Sequence, residues 1–240
     1  MRDFQLPGRS PVYASNGMCA TSHPLAAGAA VDILSRGGTA MDAAIAGAIL
    51  LGICEPQMTG IGGDCFVLVR RPGDSVIEAF NGSGAAPAAA SAAALRARGE
   101  TNVPVYSADA VTIPGAIDAF CQLSESHGRL GLDAVLAPAI HYAEAGVPVA
   151  PRVARDWISD AEILKDHARN HFLPWGTPPA PGTLFRAPGQ AAVLRRVAAQ
   201  GRDAFYTGEV AEDMLAALSE AGGVQTADDF AQQTGMPSAP

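Results

Sequence analysis

Few residues in this chain have the types and spacing that chemistry requires. His167 and His171 stand four apart, which puts two imidazoles on one face of a helix. A zinc protease with that spacing needs Glu after the first His, and Ala168 stands there. The pair therefore reads as two solvated surface histidines, and no metal is expected. His23 precedes Pro24 at a helix start. It has the chemistry of a base, but capping or packing is the commoner role at such a place. Cys19, Cys54, Cys65 and Cys121 never form C-x-x-C, so neither a zinc site nor a disulfide-dense scaffold fits. Four small buried thiols in a reducing compartment is the reading that remains.

The glycine-rich stretch Glu55-Pro56-Gln57-Met58-Thr59-Gly60-Ile61-Gly62-Gly63-Asp64-Cys65 invites comparison with a phosphate-binding loop. Such a loop runs from strand to glycines to helix, so that the anion meets a helix N-terminus. Here the order is helix, glycines, strand, the last glycine of G-x-G-x-x-G is missing, and no Gly-Lys-Ser/Thr follows. The stretch reads instead as a tight, buried passage from helix to sheet. No cofactor is expected.

The elements that must hold these residues follow from periodicity. Residues 1–12 read as a loose arm, since Pro7, Gly8, Ser10 and Pro11 discourage regular structure. A short strand is expected over Val12–Ala20, then a helix capped by Ser22, with Pro24 in its first turn and Gly37-Gly38 at its end. Thr39 and Asp42 form a capping box for a second helix. That helix is apolar on every side, so it should lie between layers. Phe66–Val69 and Val76–Phe80 form a hairpin around Arg71-Pro72-Gly73-Asp74. Helices are expected over Ala85–Arg98, Ala116–Ser126, Asp133–Ala145, Pro151–Arg169, Gln190–Gln200, Gly208–Ala221 and Thr226–Gln233. A strand is expected at Val111–Ala116 and a proline-rich loop over His171–Gly189. Strands crowd the first half and helices the second, the pattern of an α+β sheet covered by helices. A single domain over 1–240 is expected, without a closing element at Pro240, which suggests a truncated product or one piece of a larger assembly.

Composition narrows the function classes. A chain of 240 residues with 48% hydrophobic and 17% charged residues can bury a core and is no disordered polymer. Its net charge of -8, with no basic run, excludes a nucleic-acid surface. Ala43–Ile53 is its longest apolar run, shorter than the roughly 20 residues a bilayer needs. With no signal-peptide core in Met1–Gly8, the expectation is a cytoplasmic protein without membrane contact.

Three ordered blocks, Ser22-His23-Pro24-Leu25-Ala26, Gly37-Gly38-Thr39-Ala40-Met41-Asp42-Ala43-Ala44 and Glu55–Gly63, resemble the opening of the γ-glutamyltranspeptidase (γ-glutamyltransferase) family. Ala86-Pro87, Thr112-Ile113-Pro114-Gly115, Ala139–Gly146, Phe205–Ala211 and Gly222-Gly223 with Asp228-Asp229-Phe230 continue the resemblance in family order. It covers essentially the whole chain but only the family's N-terminal, large-subunit portion. The fold it implies is an N-terminal-nucleophile hydrolase-like αββα sandwich, incomplete here. The activity it implies is acyl transfer from γ-glutamyl compounds such as glutathione to water or amino acids. The family's nucleophile is a threonine opening a Thr-Thr-His-like triplet further along the full-length chain, freed by self-cleavage so that its own amine serves as base. Thr21 lies in an early block and is not that residue, and no other such triplet occurs. No catalytic residue is therefore expected in this chain, and a small-subunit-like partner or C-terminal half is expected to supply it.

Asn81, Gly82 and Ser83 are the expected substrate-binding residues, on the pocket wall. In the family an arginine shortly before Ala-Pro pairs with the substrate's α-carboxylate, since a guanidinium fork suits a carboxylate. Here the segment is Asn81-Gly82-Ser83-Gly84-Ala85-Ala86-Pro87, and Ser83 falls near the arginine's place. Arg70 and Arg71, on the preceding strand, are the candidates to replace it. Two alternatives follow: an acylase-type relative acting on a non-glutamyl group, or a non-catalytic binding or structural subunit.

Overall fold

The computed structural model describes residues 11–240. Most of the expected N-terminal arm, residues 1–10, lies outside the described residues, and Pro11 and Val12 carry neither helix nor strand. The strand expected at Val12–Ala20 does not form. Gly17 takes φ 134°, and a Cβ there would stand 2.9 Å from Leu34 Cδ1, so the chain bends against the first helix instead of extending.

That helix, α1 (Pro24–Ser35), is capped by His23 and not by Ser22. His23 is extended, and its Nδ1 accepts from the Leu25 amide at 3.2 Å. Ser22 Oγ donates instead to Glu55 Oε2 at 2.6 Å. The Thr39–Asp42 capping box forms in both directions and starts α2 (Ala40–Cys54). As its all-round apolarity requires, α2 is buried along most of its length. Small residues let the neighbours close in: a Cβ on Gly47 would lie 3.5 Å from Ala26 O.

β1 (Cys65–Arg70) and β2 (Ile77–Gly82) make the expected antiparallel hairpin, with Cys65 opposite Gly82 and Arg70 opposite Ile77. The helix expected at Ala85–Arg98 shrinks to α3 (Ala92–Ala97), capped by Ser91. Tertiary partners outbid the helix upstream: Ala85 O accepts from Ile113 N, and the amides of Ala85 and Ala88 go to Gln233 and Asp229. The strand expected at Val111–Ala116 is likewise absent. There the backbones nearly touch, and a Cβ on Gly84 would stand 1.7 Å from Ile113 O, too close for a regular ladder.

α4 (Ala116–His127) and α5 (Leu132–Ala145) match expectation, and β3 (Val147–Pro148) follows. The single helix expected over Pro151–Arg169 is two, α6 (Pro151–Asp160) and α7 (Asp166–Phe172). The break folds Phe172 back onto buried Trp157, ring centroids 6.3 Å apart, a contact one straight helix cannot make. The expected proline-rich loop contains β4 (Leu184–Phe185), which pairs with β3 and buries Phe185. Then come α8 (Pro188–Gln200), α9 (Asp203–Tyr206), α10 (Glu209–Glu220), α11 (Ala227–Gln232, capped by Thr226) and a strand the sequence did not suggest, β5 (Met236–Ser238).

β5 lies antiparallel on β2, so the main sheet runs β1-β2-β5. One face packs on α4, where a Cβ on Gly82 would stand 2.5 Å from Ala119 Cβ. Among the described residues nothing covers the other face: Phe66, Leu68, Ile77 and Met236 are 70%, 68%, 45% and 57% exposed.

A buried ion pair brings β5 there. Asp118, 1% exposed, receives Arg202 Nε at 2.8 Å on one oxygen. Its other oxygen receives the Gly235 amide at 2.6 Å and Gln122 Nε2 at 2.8 Å. Arg202 Nη2 also donates to the carbonyls of Ala231 and Gln233 and lies over the Tyr206 ring. Breaking a buried pair from one side leaves an uncompensated charge. Arg202→Ala is therefore expected to cost about 3 kcal/mol of stability, read as a lowered urea midpoint. A loss within the roughly 0.5 kcal/mol of an ordinary surface change would contradict it.

Candidate functional site

Beyond Gly82 the chain leaves the sheet, and each polar backbone group must find a new partner. Asn81 Oδ1 accepts from Ser83 N at 2.9 Å, turning the chain. Gly84 N donates to Asp64 Oδ1 at 2.8 Å. Gln233, itself buried, clamps the next step: its Oε1 accepts from Ala85 N at 2.9 Å, and its Nε2 donates to Ser83 O at 3.2 Å. Ala88 N donates to Asp229 Oδ1 at 2.9 Å. That bond, with those from Thr226, holds the Asp229 carboxyl below the usual carboxylate range.

Between this segment and α11 lies a cleft of ≈ 370 Å³. Asn81, Ser83, Gly84 and Ala85 form one wall, Gln232 and Gln233 face them, and Ile113 and Met236 supply apolar surface. Of the three residues expected to bind substrate, Asn81 and Ser83 line it. Gly82 is buried beneath the sheet, against Ala119. Asn81 also stands on the bare sheet face, opposite Phe66 and Met236.

Neither candidate arginine reaches the cleft. Arg70 pairs with Ile77 at the far end of the hairpin, roughly 17 Å along the strand from Cys65. Its Nε donates to Asp74 O at 2.7 Å. Arg71 Nε donates to Glu78 Oε1 at 2.7 Å, and its Nη2 lies 3.0 Å from His127 Nε2. Asp64, Asp229 and Gln233 carry no mark of their own in the sequence that ties them to this segment. Only the Asp228-Asp229-Phe230 block and the Thr226 cap marked that region, and nothing in the sequence showed it meeting residues 83–88.

His23 is buried, and its Nδ1 lone pair is used by the cap. The neutral ring then carries its proton on Nε2, which leaves no free basic nitrogen. Burial lowers its pKa against the opposing pull of Glu55. His167 and His171 share α7, but they are not alike. His167 is exposed, whereas His171 is half-buried against the rings of Phe172 and Phe185, 4.6 and 5.5 Å away. The reading of two solvated histidines therefore fails for His171, whose pKa burial lowers. Among the described residues no group of three or more His, Cys, Asp or Glu lies together as a metal site would require. All four cysteines are free. Burial pushes Cys54 and Cys121 up to about 12 and half-buried Cys65 up to about 11, which disfavours their thiolate forms. No described helix is long and apolar enough to cross a membrane.

Comparison with known proteins adds to this geometry. The family described as Gamma-glutamyltranspeptidase matches residues 26–235. The Bacillus subtilis (strain 168) protein named Glutathione hydrolase-like YwrD proenzyme is 34% identical over 232 residues, 95% of this chain and 44% of that protein. Cephalosporin acylase from Bacillus halodurans superposes with a TM-score of 0.92 at 40% identity, covering 99% of this chain and 46% of the other. Helicobacter pylori gamma-glutamyltranspeptidase superposes with a TM-score of 0.90 at 25% identity, covering 96% and 68%. The chain thus spans less than half the length of the Bacillus subtilis relative. Its α+β architecture is that of the large-subunit part of an N-terminal-nucleophile hydrolase fold.

The lowered pKa of His171 has a consequence for stability. The unfolded chain takes up its proton near the ordinary 6.5, before the folded chain does. Stability from this group is full above that pH and falls as the pH drops toward the lower folded value. His171→Phe keeps the ring between its aromatic neighbours and removes the titration. The variant's urea midpoint is expected to fall less than the native one between about pH 7.5 and about pH 5. Parallel curves for the two proteins would contradict this.

Proposed function

This chain belongs to the gamma-glutamyltranspeptidase family, and from that premise we propose that it supplies the substrate-cleft half of an amide-cleaving acyltransferase. A threonine hydroxyl on a second half attacks the donor's carbonyl. The bond between acyl carbon and leaving nitrogen breaks, the hydroxyl proton passes to the departing amine, and the acyl group stays on the threonine as an ester. Water or an amino acid then takes the acyl group and frees the threonine. γ-Glutamyl compounds such as glutathione are the donors this reading supplies first. Asn81 and Ser83 line the space where the acyl group sits, and Gly82 lets the sheet approach α4 beside it.

One observation carries the reading. Asn81 and Met236 belong at once to the cleft and to the bare apolar sheet face. A second half seated on that face would bury Phe66 and Leu68, each contributing about 1.5–3 kcal/mol when fully covered. The same docking would bring the nucleophile to the cleft and complete the two-sheet sandwich. Four free cysteines fit a reducing, cytoplasmic setting for this assembly.

An acylase-type reading is favoured by a different feature, the neutral wall around Ser83. No lysine or arginine among the described residues lines the cleft. A non-catalytic role as a binding subunit is separated by assay. The 240-residue chain alone is expected to give no turnover of a γ-glutamyl anilide, while the protein expressed from its full reading frame does turn over an anilide donor. Robust hydrolysis by the isolated chain would overturn the division of labour, and inactivity of the complete protein toward every amide donor tried would favour the binding role.

A further inference from the structure

The wall that should meet the donor's head group is built from neutral groups. Ser83 stands where the segment turns, its amide fixed by Asn81 and its carbonyl by Gln233. Gln232 lines the same cleft. On either side, the segment's own amides are held by carboxylates, Gly84 by Asp64 and Ala88 by Asp229. Arg202 comes near only through main-chain oxygens of Ala231 and Gln233, and its Nε is committed to Asp118. Arg70 and Arg71 are engaged at the far end of the hairpin. The chain as a whole carries a formal charge of -8.

A carboxylate entering here would lose water, meet the Asp229 carboxylate in the cleft lining and find no lysine or arginine there among the described residues. Burying a charge without a partner is costly, whereas amide and hydroxyl groups can satisfy an uncharged polar head. We propose that Ser83 is a specificity-determining residue, and that the cleft takes acyl donors whose group beside it is uncharged, such as a carboxamide or hydroxyl, and disfavours a carboxylate there. This rests on the acyl-transfer reading above and shifts its preferred donors from free γ-glutamyl compounds to ones whose group beside Ser83 is uncharged. It also accounts for the two short polar residues, Asn81 and Ser83, in place of a guanidinium: they can exchange hydrogen bonds with a neutral head without importing charge.

The test uses the protein expressed from its full reading frame and two anilide donors that differ only at one group. One is the L-γ-glutamyl anilide with its free α-carboxylate, and the other is the same compound with an α-carboxamide. The carboxamide donor is expected to have the higher kcat/KM by on the order of tenfold, since a charge-assisted partner is worth about that much. Ser83→Arg is expected to narrow or invert the ratio while the fold, followed by circular dichroism, persists. A native preference for the carboxylate donor would overturn the inference and leave the acyl-transfer reading intact. If neither donor is turned over, calorimetric binding of L-glutamine and L-glutaminamide separates the two ideas. Tighter binding of the amide supports the neutral-wall inference while the acyl-transfer reading falls, and equal or undetectable binding of both overturns the inference as well.

Discussion

A carboxylate with almost no access to water sets the geometry of this chain. Asp118 lies in the first turn of α4, where its charge must be answered from within. One donor that answers it is local, Gln122 one turn along, and two come from far along the chain, Arg202 ahead of α9 and the amide of Gly235. Satisfying one buried charge therefore draws the last segment of the chain back to α4. Tyr206 tightens the same knot, donating to Pro114 O at 2.7 Å while accepting from Asp118 N at 3.1 Å. With Gly235 held, Met236–Ser238 can lie only along β2, and Gln233 falls onto Ser83 and Ala85. The cleft is a consequence of that convergence.

Close backbone approach is the second requirement. Gly84 passes so near Ile113 that any side chain would displace one of them, and a Cβ on Gly115 would stand 2.2 Å from Gly82 O. Those contacts lock the wall of the cleft to the turn that starts α4. They explain why two stretches with apparent strand or helix character adopt neither. Their hydrogen bonds run to partners far along the chain, and those bonds replace a regular ladder without loss.

The two layers of apolar surface have different fates. α2 meets α1, α4 and α5, and its apolar circumference disappears into the core. Among the described residues the sheet packs one face on α4, and the alternation of β1 leaves Phe66 and Leu68 outward. An exposed apolar face continuous with a polar cleft is the shape of an interface. The chain spans 44% of the Bacillus subtilis relative and 68% of the Helicobacter pylori one.

Local rules were enough for much of this. The Thr39–Asp42 box, the apolar roundness of α2, the Pro-Gly-Asp hairpin, the Thr226 cap and the ordered family blocks were all legible, because each is written in residues a few positions apart. Asn81 and Ser83 could be placed at a pocket wall by resemblance. The break after Asp160, the loss of helix at Ala85–Ser91, the capping role of His23 and the existence of β5 were not legible. Each depends on a partner that sequence distance hides: Phe172 on Trp157, Ala85 on Ile113 and Gln233, Ser22 drawn from the cap to Glu55, and Gly235 on Asp118. Sequence alone determined the family, the locally capped helices and the β1–β2 hairpin, and the absence of an arginine before Ala86-Pro87. Only the tertiary structure decided that Arg70 and Arg71 are engaged away from the cleft, that Asp64 holds the Gly84 amide and that Asp229 lines the cleft, because hydrogen-bond partners and charge neighbours are settled by packing and not by order along the chain.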